Sequence, residues 1–138
     1  MAGKTSQIEN QSSQAMLHHL SFAVTDIARS GAFYDAVLAP LGYGNEPGKD
    51  VFALKLRPDN ASVLGDGFHV AFAAPWREAV GAFHAAALAN GGRDNGGTGL
   101  HPEYGPGYFA AFVFDPDGYR IEAVICGESS DTQVCEVA

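Results

Sequence analysis

Residues 19–42 read HLSFAVTDIARSGAFYDAVLAPLG, and residues 69–92 read HVAFAAPWREAVGAFHAAALANGG. Laid over each other at a shift of 50 residues, without a gap, they are identical at ten of 24 positions, among them His19/His69, Phe22/Phe72, Phe33/Phe83 and Gly42/Gly92. A composition rich in Ala and Gly gives about two or three such identities by chance. The chain is therefore an internal repeat. Each copy opens with a histidine at the head of a short apolar run and closes in glycine after a helix-like segment. Two equivalent histidines related by a pseudo-twofold axis can face each other, and a repeat can build a metal site in that way.

The local pattern is the same in both copies. From His18 to Thr25, alternation puts Leu20, Phe22 and Val24 on one face and His19, Ser21 and Ala23 on the other, the period of a strand. Asp26 is a helix N-cap. Ile27, Phe33, Tyr34, Val37 and Leu38 give the following helix an apolar stripe, which Pro40 and Gly42 end. In copy two the strand covers Phe68 to Ala73, and a helix starts near Pro75 and runs to about Ala89. Further on, Asp115-Pro-Asp-Gly118 is a hairpin turn between strands Tyr108–Phe114 and Tyr119–Ile125. Arg57-Pro-Asp-Asn60 repeats that turn chemistry between Val51–Leu56 and Ala61–Leu64. Matching Pro58 to Pro116 puts Leu64 in the slot that Glu122 fills. The Gly-rich connections after Gly42 and Gly92 receive no assignment.

The chain has 138 residues, room for one domain of two half-size modules sharing a core. Met1 to Ala15 is polar and reads as a disordered extension, and residues 128–138 as a polar tail. The domain spans 16–127, with module one at 17–66 and module two at 67–126. A net charge of −8 with scattered basic residues argues against nucleic acid. No stretch approaches the ~20 apolar residues of a membrane span, and the polar N-terminus does not read as a signal peptide. The two late cysteines, Cys126 and Cys135, fit a reduced, cytoplasmic protein with inert thiols better than a disulfide.

His19, His69 and Glu122 carry the chemistry. Each sits on a strand face opposite the large apolar residues, beside small neighbours (Ser21, Ala23, Ala71, Ala73) that leave room for a cavity. Imidazole and carboxylate suit Zn, Mn, Ni, Co or Fe(II), and three protein ligands leave positions open for a substrate. His101 and Tyr104 lie in the loop Gly99–Gly107, with Tyr108 at its edge. This loop either covers the pocket and supplies an acid–base group or packs as aromatic surface. Arg120, two residues before Glu122 on the same face, either binds an anionic substrate or pairs with a nearby carboxylate. His18 and His84 read as structural.

Taken in order, His19-Leu-Ser-Phe-Ala-Val-Thr-Asp26, Ser30-Gly-Ala-Phe-Tyr34, Phe68-His-Val-Ala-Phe72 and Asp115-Pro-Asp-Gly-Tyr-Arg-Ile-Glu122 resemble the vicinal oxygen chelate superfamily. That group includes glyoxalase I, bleomycin-resistance proteins, fosfomycin-modifying transferases and extradiol dioxygenases. The resemblance implies an α+β fold of two βαβββ modules forming a cupped mixed sheet, paired within a homodimer. It places one divalent metal on His19, His69 and Glu122. It also implies an enzyme acting on a small-molecule substrate that chelates the metal through adjacent oxygens. Lyase, isomerase or thiol-transferase chemistry is favoured; the alternatives are an extradiol-type dioxygenase and a non-catalytic drug-binding protein. Glyoxalase I proper usually has a fourth ligand in the slot assigned here to Leu64, which points away from that enzyme in the strict sense. Modules pairing between chains would bring His19 of one copy to His69 and Glu122 of the other.

Overall fold

The first helix begins where a carboxylate can satisfy its open end. In the computed structural model, which describes residues 19–43, 52–57, 63–65 and 67–128, Asp26 accepts the Arg29 N–H at 3.0 Å and caps helix α1, Ile27–Leu38. Ser30, Phe33, Tyr34 and Val37 recur at helical spacing and form its buried face. A single 3₁₀ turn, Ala39–Leu41, contains Pro40 and ends at Gly42, as the sequence predicts. Strand β1, Leu20–Val24, precedes this helix and pairs in parallel with β2, Phe52–Leu56.

Module two has the full strand–helix–three-strand order. Strand β3 (Val70–Ala73) leads into helix α2 (Arg77–Ala89), then β4 (Arg93–Leu100), β5 (Tyr108–Phe114) and β6 (Arg120–Cys126). The sheet order is β3-β6-β5-β4, with β3 parallel to β6 and the other pairs antiparallel. Ile121, Ala123 and Ile125 of β6 are buried toward the two helices, in one core with Phe33, Val37, Val80 and Phe83. Glu122, Val124 and Cys126, alternating with them, belong to the opposite face. There Val124 and Cys126 pack with Tyr108, Ala110 and Phe112. The α+β class and mixed sheet agree with the sequence reading; among the described residues, module one shows one helix and two strands.

Four readings need correction or completion. β4 runs through Arg-Asp-Asn-Gly-Gly-Thr-Gly-Leu, a Gly-rich stretch without strand propensity, held by pairing to β5 with two register shifts. Leu64 is not the counterpart of Glu122. Ser21 pairs with Ala53 as Ala71 pairs with Glu122, so the parallel register gives that slot to Ala53. Val63 and Leu64 are not in a strand, and residues 58–62 lie outside the described ones. Cys126, read as an inert thiol, is buried and disulfide-bonded. Cys135, His18, the N-terminal extension and all of the tail after Glu128 also lie outside the described residues. No helix among the described residues is long and apolar enough to cross a membrane.

The two modules are fastened at the Asp115–Gly118 turn. Gly118 takes a φ of 97°, a left-handed conformation that suits glycine, and the turn closes with Gly118 N–H donating to Asp115 C=O at 2.9 Å. Asp115 accepts the Tyr34 hydroxyl at 2.7 Å and the N–H groups of Asp117 and Tyr119. Asp117, with its side chain 1% exposed, accepts the Thr25 N–H at 3.0 Å and the Thr25 hydroxyl at 2.8 Å. Ser30 Oγ lies 3.3 Å from the same carboxylate, and Arg29 and Arg57 lie at 3.3 and 3.8 Å. Tyr119 completes the joint by donating to Ala23 C=O at 2.7 Å. Burial pushes both carboxyls up; in Asp115 burial prevails, whereas the Thr25 hydrogen bonds and Arg29 hold Asp117 below its ordinary value.

Asp117→Asn should cost about 2–3 kcal/mol at pH 7, because a charge-assisted cluster loses its charge and one of its two acceptor oxygens. A folded-state value below the ordinary one means that Asp117 stabilises the fold above the usual carboxylate range and loses this contribution as pH falls through its lowered value. Urea titrations of both proteins from pH 7 down to about pH 3 should therefore show the gap between them narrowing.

Candidate metal centre

Three strands put one row of residues across the cupped face: Ala71 of β3, Glu122 of β6 and Phe112 of β5 are in register, with Gly96 of β4 beyond Phe112. Glu122 is the buried carboxylate of this row, 1% exposed. Its Oε2 lies 3.3 Å from Nε2 of His69, which sits just before β3, and its Oε1 accepts a hydrogen bond from the Tyr108 hydroxyl. Burial pushes the Glu122 carboxyl up; the Tyr108 hydrogen bond and the neighbouring His69 and His101 act against that rise without cancelling it. The Tyr108 phenol is also pushed up, by burial and then by the carboxylate it serves, so it remains a donor. His69 is 57% exposed, leaving the imidazole–carboxylate pair open on one side.

His101 closes another side of the same cavity, a space of about 370 Å³ that His69, Asn95, Tyr104, Phe112 and Arg120 also line. The loop expected around His101 is partly regular: Gly99 and Leu100 belong to β4, and Pro102–Tyr104 form a 3₁₀ turn. His101 N–H donates to Tyr108 C=O at 2.8 Å, fixing the backbone. Its ring stands edge-on to Phe112 at 5.1 Å and lies 6.0 Å from Tyr104. Nδ1 meets Glu103 Oε1 at 3.2 Å, while Nε2 is buried without a hydrogen-bond partner. Glu103 is acceptor-only when ionised, so Nδ1 is the nitrogen that donates to it; in the neutral ring the lone pair then falls on Nε2.

His19 is exposed at the head of β1. The single chain does not gather His19, His69 and Glu122 into one set: among the described residues no three His, Cys, Asp or Glu side chains form a metal-holding group. His69 and Glu122 are brought together, and His101 and Arg120 share their cavity. His84 is structural, joined through Nε2 to Asp94 Oδ1 at 2.9 Å between α2 and β4.

The family model of the glyoxalase/bleomycin resistance protein/dioxygenase superfamily matches residues 16–123. This chain belongs to that superfamily. A glyoxalase/bleomycin resistance protein from Albidiferax ferrireducens T118 is 32% identical, with a TM-score of 0.66 over 80% of this chain and 98% of that one. A putative glyoxalase from Bacillus halodurans is 26% identical, with a TM-score of 0.55 over 80% of this chain and 96% of that one. Lactoylglutathione lyase from Agrobacterium tumefaciens shares the fold at 17% identity and a TM-score of 0.52, over 80% and 92% of the two chains. No curated protein matches the chain.

Within this glyoxalase-superfamily chain, the partner of Glu122 that the sequence reading missed is Tyr108. Hairpin geometry carries the signal. The Asp115–Gly118 turn pairs Phe114 with Arg120, so even-numbered residues of β5 and β6 share one face, and Tyr108 is among them. Gly96 was missed as well. Its φ is 142°, and a Cβ there would stand 3.0 Å from the Phe112 ring, so glycine lets Phe112 close the cavity wall. Gly96→Ala should cost about 1–3 kcal/mol and shift Phe112, read as a lower melting temperature and altered aromatic near-UV dichroism.

Proposed function

We propose that this chain is a divalent-metal-dependent enzyme that moves a proton on a small, oxygen-rich substrate, as an isomerase or lyase does. The observation that carries this reading is the 3.3 Å approach of His69 Nε2 to the buried Glu122 Oε2 at the edge of an open cavity. A neutral imidazole and a carboxylate suit Zn, Mn, Ni, Co or Fe(II). Tyr108 occupies Oε1 and leaves Oε2 for the ion, the outer-layer hydrogen bond that ligating carboxylates characteristically have. These residues therefore fit the group. When bound, the ion supplies Lewis-acid stabilisation of negative charge developing on substrate oxygens.

The chain's own residues do the rest. Phe112 and Tyr104 wall the pocket, and His69 and Glu122 hold the ion against it. His101, oriented by Glu103 in the cavity wall, is the residue of this chain placed to move a substrate proton from one atom to its neighbour. The third ligand, His19, comes from the partner in a homodimer, because a single chain does not bring it to the other two.

Protein prepared without chelator should take up about one equivalent of metal; uptake below about a tenth of an equivalent on titration would remove the reading. Tyr108→Phe should weaken metal affinity about 10–100-fold with the far-UV dichroism unchanged. His19→Ala and His69→Ala should each lose metal alone. When the two variants are refolded together, exchange of subunits should restore roughly a quarter of the wild-type sites, since one intact site forms per mixed dimer. No restoration would mean that His19 serves its own chain.

A further inference from the structure

At the outer edge of the cupped face, β4 carries one residue more than the strand it pairs with. Asp94 is opposite Val113 and Gly96 opposite Phe112, so Asn95 is the extra residue of a β-bulge. Alternation sorts its neighbours between the two faces. Val113 is buried in the core under the helices, and Asp94, opposite it, meets His84 of α2, its Oδ1 lying 2.9 Å from the imidazole Nε2. Arg93 belongs to the other face, its guanidinium 4.9 Å from the centre of the Phe114 ring. Asn95, two residues on, lines the cavity that His69 and His101 also line. Asn95 and Gly96 therefore both stand opposite Phe112, on the face that holds Glu122. No described residue hydrogen-bonds the Asn95 carboxamide.

The bulge is fastened from the helix side. The Asp94 Oδ1 that meets His84 also accepts the Gly96 N–H at 3.1 Å, so the carboxylate closes a small ring around the extra residue. The His84 bond first, and then the Gly96 N–H, hold the Asp94 carboxyl below its ordinary value. A one-residue slip of this strand would send Asn95 to the opposite face. Asn95 stands two strands from Glu122, about 10 Å across the sheet, with Phe112 between them. Its carboxamide offers donors beside an acceptor, and the neighbouring Asp94 carboxylate disfavours an anion there. We infer that Asn95 is a substrate-recognition residue, aimed into the cavity by a bulge that Asp94 and His84 fix. The substrate then carries a neutral group with a donor beside an acceptor, as in a carboxamide, across an apolar body from its pair of adjacent oxygens. This deepens the metal-enzyme reading and rests on it for where those oxygens lie, whereas the bulge is built without the metal. Asp94 and His84 are positioning residues that act through Asn95.

The test compares 3,4-dihydroxybenzamide with 3,4-dihydroxyacetophenone, which share two adjacent oxygens and a carbonyl and differ in NH₂ against CH₃. Calorimetric titration of the full chain with zinc present should give at least about three-fold tighter binding of the benzamide. Asn95→Ala should bring the two probes within about two-fold with zinc content unchanged. His84→Leu should lose most of the preference, while His84→Gln, whose amide can still donate to Asp94, should retain it. A merely structural role for His84 would not move this ratio. Equal binding of both probes by the wild-type chain, or an undiminished preference in Asn95→Ala, overturns the assignment of Asn95. A preference unchanged in His84→Leu overturns the positioning role. Failure of the metal reading looks different. If zinc is not taken up but the benzamide still binds better through Asn95, the recognition residue stands and the metal enzyme falls.

Discussion

Asp117 holds the two halves of this protein together. Its carboxylate sits at the tip of the last hairpin, in module two, and its donors Thr25, Arg29 and Ser30 come from the first strand and helix of module one. Burying a charge is costly unless it is paired and hydrogen-bonded, and here several donors from one short segment meet that cost together. The joint therefore works only when β1 and α1 are in place. The hairpin whose turn it ends also carries Glu122 and Tyr108, so the same fastening fixes the site relative to module one.

The site itself rests on a second buried carboxylate with a different balance. Asp117 is surrounded by donors and stays ionised readily; Glu122 has one phenol on one oxygen and an open histidine near the other. Burial outweighs these partners and raises its carboxyl. A buried acid whose carboxyl is pushed up beside a cavity is a candidate functional group, because perturbed groups of this kind concentrate at functional positions. In the wall of the neighbouring cavity, the Nε2 of His101 is also buried without a hydrogen-bond partner. A fully satisfied core would contain neither.

Much of this was legible along the chain. The repeated His19 and His69 segments, the Asp26 cap and the Asp115–Gly118 turn are local signals, and each appears where its residue types require. Tyr108–Phe114 also emerges with the boundaries its sequence gives. β4 was not legible, because three glycines in eight residues give no strand preference and only pairing with β5 makes it a strand. The counterpart of Glu122 in module one was misplaced for a related reason. Turn chemistry alone aligned Leu64, whereas parallel pairing, a contact between residues far apart in sequence, selects Ala53.

The sequence by itself determined the repeat, the two helices, the hairpin, and which histidines and carboxylate are proposed to bind a metal. These depend on spacing and residue type over a few turns of chain. Tertiary structure alone decided which of them meet. It joined His69 to Glu122, set Tyr108 behind that carboxylate, put His101 in the cavity wall with its Nε2 buried, and ranged Arg93 and Arg120 on either side of Phe114 in the strand register. Such meetings are set by strand register and by the burial of charge, and both are properties of the assembled sheet.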